Sequence, residues 1–180
     1  MTRLMKSLVI LFGLFAMQVH AQQSAFQQDG YISGFGPFVR IPGDTMMPKE
    51  AEFKVAFDTG VAAAPGTVNK TMVAAARFLN MHVDAGISPD KIDLVVVIHG
   101  SAGADVGTAA YYEDQHLQAN ASAPLVSALI EKGVKFIVCG QSAAFYGMSS
   151  GDFMPGVETA LSAMTAHALL QQQGFTLNPF

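Results

Sequence analysis

The decamer Lys91–Gly100, KIDLVVVIHG, decides the fold class. Leu94 to Ile98 is an unbroken apolar run, β-branched from Val95 onward, and such a strand has no face to give to water. It reads as a strand buried on both sides, as in a parallel sheet. Val134–Gly140, VKFIVCG, repeats the pattern, and Glu52–Asp58, EFKVAFD, alternates charged and apolar residues as a strand does. FTLNPF, Phe175–Phe180, reads as a short last strand.

Helical spacing fills the intervals. Val68, Met72, Ala75, Ala76, Leu79 and Val83 recur on one face of a helix over Thr67–Val83, with Gly86 as its stop. Pro124–Lys132 is a helix stopped by Gly133, and Ser142–Gly147 is a short one. Pro155–Gly174 reads as one longer helix with proline in its first turn. Residues 100–123 form a long polar connection, partly helical, whose GSAGADVG start (100–107) reads as a flexible loop. Strands alternating with helices predict a single-domain α/β sandwich, with a mostly parallel sheet and helices on both faces. Ligands of such sheets bind beyond the carboxyl ends of the strands. Three ends turn abruptly polar here: Asp58-Thr59, His99-Gly100-Ser101 and Cys139-Gly140-Gln141-Ser142.

The remaining segments set the context. Residues 1–21 carry Arg3 and Lys6, an apolar run from Leu8 to Met17, and the small residues Val19 and Ala21. This is the pattern of a secretory signal peptide cut before Gln22. Its apolar run is shorter than the roughly 20 residues of a membrane span, so no span is expected after its removal. Residues 22–50, rich in Gln, Gly and Pro, read as an extended arm, and 51–180 as the α/β domain. The expected location is periplasmic or secreted. A net charge of −4 without clustered Lys or Arg excludes nucleic acid and anionic membranes as partners.

The single cysteine cannot form an intramolecular disulfide. Cys139 sits where a strand ends and a helix begins, so helix N–H groups would face its sulfur and favour the thiolate, below the usual thiol pKa of about 8.5. Gly140 allows the tight turn, while Gln141 and Ser142 offer donors to the sulfur or to a bound group. The competing reading is a small buried hydrophobe. GQSAA (140–144) falls one residue short of the G-x-S-x-G elbow, and a hydrolase would need Ser142 with Asp152 and His167. His99, Cys139 and Asp58 could approach a metal, but no clustered ligand spacing supports one, so no metal is expected. The 100–107 glycines match neither phosphate-binding pattern, and no cofactor is expected.

The segments FDTG, RFLNMHVDAGI, IDLVVVIHGSA, PLVSALIEKGVKFIVCGQSAAFYGM and LSAMTAHALLQQQGF resemble, in order over residues 52–177, the DsrE/DsrF-like family and its exported, signal-peptide-bearing branch. The resemblance implies an α/β sandwich assembling as a homo-oligomer, trimer or hexamer. It also implies a sulfur-relay role, with a persulfide held on the cysteine matching Cys139. Asn80, His99, Gln141, Ser142 and Tyr146 belong to that branch's pattern, and Gly100 and Gly140 lie within its most specific motifs, VIHG and GVKFIVCGQS. Phe145 and Tyr146 stand where cytoplasmic relay members carry basic residues, and an exported protein cannot meet their partners. Delivery to tRNA or sulfite reductase is therefore not expected. The expected function is a sulfurtransferase-like carrier, acceptor or sensor of sulfane sulfur, with donor and acceptor unidentified. The alternative is a non-catalytic small-ligand or oligomeric interaction module whose cysteine is structural.

Overall fold

The computed structural model describes residues 26–41, 47–48 and 50–178, so the expected signal segment 1–21 lies outside the described residues. Five strands, β3 (Phe53–Thr59), β4 (Ile92–Ile98), β5 (Lys135–Cys139), β6 (Val157–Ala160) and β7 (Thr176–Asn178), form one sheet in the order β6-β5-β4-β3-β7. Every neighbouring pair in it is parallel. The α/β class and the parallel sheet expected from KIDLVVVIHG are what the chain adopts. β1 (Phe26–Gln27) and β2 (Phe38–Val39) make a separate antiparallel ribbon.

The two faces of the sheet are unequal. Val55, Phe57, Leu94, Val96, Ile98, Phe136 and Val138 point to one face, where α1 (Lys70–Asp84) and α3 (Ala123–Glu131) cover them. Met72, Ala75, Ala76 and Leu79 of α1 and Leu125, Val126 and Leu129 of α3 are buried there. Near-complete burial of each of the larger ones, Met72, Leu79, Leu125, Val126 and Leu129, contributes about 1.5–3 kcal/mol. α1 begins where the Asn69 side chain accepts from the N–H groups of Thr71 (3.0 Å) and Met72 (3.4 Å), which satisfies donors a helix start leaves open. It ends as Gly86 turns left-handed and the Ile87 N–H bonds the His82 carbonyl at 3.0 Å. On the other face, Ala56, Val95 and Val97 meet Ala166 and Leu170 of α5 (Ala163–Gln172), in a much smaller cluster.

Two sequence expectations require correction. Pro155–Gly174 is not one helix: Val157–Ala160 forms the edge strand β6, and the helix begins only at Ala163, capped by Ser162. As an edge strand, β6 has one free side and keeps Glu158 and Thr159 in solvent, so no apolar run announced it. The 100–107 segment is not a flexible loop. Gly100–Val106 is a 3₁₀ helix that buries Ala102, Gly103, Asp105 and Val106, and α2 (Ala109–His116) follows it.

Candidate functional site

Strand parity builds the site. Asp58 lies on the same side of β3 as Ala56, His99 on the same side of β4 as Val97, and Cys139 on the same side of β5 as Ile137. Side chains two apart share a face, so all three emerge at the carboxyl edge on the α5 face. Ile98 pairs with Val138, which sets His99 and Cys139 level on adjacent strands. Cys139 in turn pairs with Ala160, the last residue of β6. Leu161 and Ser162 then turn the chain so that α5 starts above the cysteine. His167 descends from α5, one turn beyond Ala163, into the same cluster.

The result is a cavity of about 330 Å³ lined by Asp58, His99, Cys139, Gln141, Ser142, Ser162, Ala163, Met164 and His167. Cys139 is a free thiol and is only 6 % exposed. The sulfur is approached through this cavity. Cys139 is itself the residue that caps α4 (Gly140–Phe145), with no linker between strand and helix. Burial pushes its thiol pKa up. The Ser142 hydroxyl and the backbone N–H groups of Ser142, Ala163 and Gln141 outweigh that, and the thiol is held below its ordinary value. These donors come from two helix starts, Gln141 and Ser142 on α4 and Ala163 on α5, and together they favour the anion. Gly140 is required by close approach, since a Cβ there would lie 2.8 Å from the Ala160 carbonyl oxygen.

Beside the sulfur, Asp58 bridges two imidazoles. Its Oδ2 lies 3.0 Å from His99 Nε2 and its Oδ1 2.7 Å from His167 Nε2. Burial raises the Asp58 carboxyl, but the hydrogen bonds and charges of His167 and His99 prevail and hold it below the usual carboxylate range. Gly60 makes room for this arrangement: a Cβ there would lie 2.4 Å from His99 Cε1. A larger cavity of about 680 Å³ also touches Asp58, but its lining continues into Val61–Ala64 and the start of α1 and does not include Cys139.

The expected residues divide clearly. Cys139, His99, Gln141 and Ser142 come together in the one cavity. Gly100 supports it, its N–H donating to Ser142 Oγ at 2.9 Å. The Gln141 side chain donates to the Leu161 carbonyl at 3.2 Å and so ties α4 to the turn before α5. Tyr146 lines a neighbouring cavity with Ser101, Tyr111 and Met148. Asn80 lies apart from the cysteine cavity. Its buried amide accepts from the Ile32 N–H at 2.7 Å and donates to the Phe35 (2.8 Å) and Gly36 (3.0 Å) carbonyls, clasping the 26–41 segment onto α1. Asp58, one of the three strand ends read from the sequence, bridges the two imidazoles instead of holding a metal, and His167, considered only as a hydrolase histidine, completes the site. The hydrolase triad does not assemble, because Asp152 bonds Ser149 while His167 bonds Asp58. Asp58, His99 and Cys139 do meet, yet among the described residues no group of three His, Cys, Asp or Glu is arranged to hold a metal ion.

An α/β parallel sheet with a cysteine at its carboxyl edge is the class that fold and site define. The DsrE/DsrF-like family model matches residues 53–179, and the chain belongs to that family. Among solved structures, a protein of unknown function from Methanobacterium thermoautotrophicum is similar, with 18% sequence identity and a TM-score of 0.50, covering 72% of this chain and 100% of its own. At that identity the likeness is one of fold. A search of curated proteins finds no match.

Proposed function

We propose that the protein carries sulfane sulfur as a persulfide on Cys139, after export to the periplasm or beyond. The observation that carries this reading is the sulfur itself, set in a cavity against three backbone N–H groups and a hydroxyl that favour its anion. Family membership points the same way, and the signal-like pattern of residues 1–21 supports export. The Cys139 thiolate attacks the outer sulfur of a persulfide or polysulfide, R–S–SH. A new S–S bond forms to Cys139, the donor's S–S bond breaks, and its electron pair leaves on R–S⁻. No oxidant or reductant is consumed. A thiol acceptor then takes the outer sulfur from Cys139 by the same exchange.

A homo-oligomer, trimeric or hexameric, fits the site's surroundings. Phe145, Leu161, Met164 and Leu169 are large apolar side chains left exposed around the α4 and α5 segments, and contiguous exposed apolar surface marks contact sites. Intact mass after incubation with polysulfide tests the carrier reading. Wild type should gain about 32 Da per sulfur atom on its thiolate, and Cys139→Ser should gain nothing. Wild type that stays at its starting mass refutes sulfur carriage.

A further inference from the structure

Sulfur transfer leaves one requirement that the cysteine cannot meet. The departing R–S⁻ of an alkyl persulfide is a poor leaving group unless it receives a proton, since a leaving thiol departs faster the lower its pKa. The cavity holds two imidazoles, and they are not placed alike. His99 is level with Cys139 on the adjacent strand, and its side chain is 40% exposed. His167 is tucked under α5, 18% exposed, at the shorter distance from Asp58.

We propose that Asp58 is a positioning residue that holds His99 as the proton donor to the R–S⁻ that departs when Cys139 attacks, with His167 anchoring the other carboxylate oxygen. This rests on the carrier reading above. An ionised carboxylate only accepts hydrogen bonds, so each Nε2 facing Asp58 carries a hydrogen. Nδ1 of His99 is then the nitrogen that exchanges its proton. The helix N–H groups and the Ser142 hydroxyl favour the Cys139 thiolate without His99, and the proton the thiol sheds is carried on that nitrogen as imidazolium. The thiolate forms its bond to the outer sulfur, the donor's S–S bond breaks, and the imidazolium returns the proton to R–S⁻. The donor leaves as R–SH and the imidazole is neutral again. Gly60 keeps the ring in place by leaving its Cε1 side unobstructed. An amide at position 58 would present oxygen to one imidazole and NH₂ to the other, setting one ring in the wrong tautomer.

The test is the leaving-group dependence of Cys139 attack, measured at neutral pH with an uncharged aryl disulfide and an uncharged dialkyl disulfide. The aryl thiolate leaves without help, whereas the alkyl thiolate needs the proton. Asp58→Asn and His99→Gln should each slow the dialkyl reaction about 100-fold, at the low end of what a positioned acid supplies. Their aryl reactions should stay within about 3-fold of wild type. A purely structural role for Asp58 would slow both reagents together and overturns the proposal. So does a selective loss in His167→Gln with none in His99→Gln. Because His99 is partly exposed, His99→Gln keeps the test open if Asp58→Asn fails to fold. Wild type that shows the selectivity yet takes up no sulfur from polysulfide upholds the relay and refutes only sulfur carriage.

Discussion

The two faces of the sheet differ in what they are built for. On the α1/α3 face, Phe57, Phe136, Leu125 and Leu129 lie in the large core, and the polar groups there are spent on structure. Asn69 caps α1 and reaches Asp105, while Asn80 clasps the 26–41 segment. On the α5 face a single ten-residue helix covers a small cluster, and the polar groups at its edge converge on a thiol. Adjacent residues of β5 therefore serve opposite ends, Val138 pointing into the core and Cys139 into the cavity. A parallel sheet makes this division cheap, because alternate side chains on one strand need not share a role.

The largest effect that could break this comparison is a truncation in the core. Phe136→Ala removes a fully buried ring and should cost about 3–5 kcal/mol, read from urea midpoints. Cys139→Ala should cost far less, since its side chain lies outside both apolar clusters. Equal losses for the two would mean that the faces are not specialised.

A smaller effect is expected from the clasp. Asn80→Ala leaves the Ile32 N–H and the Phe35 and Gly36 carbonyls without their side-chain partner, at about 1–3 kcal/mol. Hydrogen exchange should rise in residues 30–37 while the alkylation rate of Cys139 stays at the wild-type value. A change in thiol reactivity would show that Asn80 belongs to the site after all.

The smallest effects lie in the pH dependence, where the two faces should have opposite signs. Asp58 on the α5 face is held below the ordinary carboxyl value of 3.8. Its contribution is present above that value and lost as pH falls through its folded pKa, because the unfolded chain takes the proton first. Asp105 is raised by burial, against the hydrogen bonds of Asn69 and Ala63. Its contribution is present below 3.8 and lost as pH rises through its folded pKa. Urea midpoints against pH should show Asp58→Asn removing a loss on the acid side, and Asp105→Asn removing one on the rising side. Shifts of the same sign in both variants would erase the distinction.

What the sequence showed of this division follows from burial. β4 and β5 were legible because both faces of their central stretches are covered, so Leu94–Ile98 and Phe136–Cys139 are apolar without interruption. β6 was hidden because an edge strand carries Glu158 and Thr159 in solvent, and that omission had a consequence. Without β6 beside β5, nothing explained why Ala163 at the start of α5 should approach Cys139. The strand-end motif made Cys139 and Ser142 visible. The Asp58 bridge was not, because Asp58 and His167 are 109 residues apart and meet only through the order of the strands. The 100–106 segment looked like a loop because a 3₁₀ helix of Gly and Ala has no amphipathic period to display.

The central claim is that Cys139 is a thiol tuned and accessible for nucleophilic attack rather than a core side chain. Its most direct test is the rate of iodoacetamide alkylation of the native protein as a function of pH, followed by intact mass. Native Cys139 should react without denaturant, with a midpoint below the ordinary thiol value of about 8.5. A Cys139 that resists alkylation until the chain is unfolded, or that titrates at or above the ordinary value, would contradict the claim and return the residue to the core.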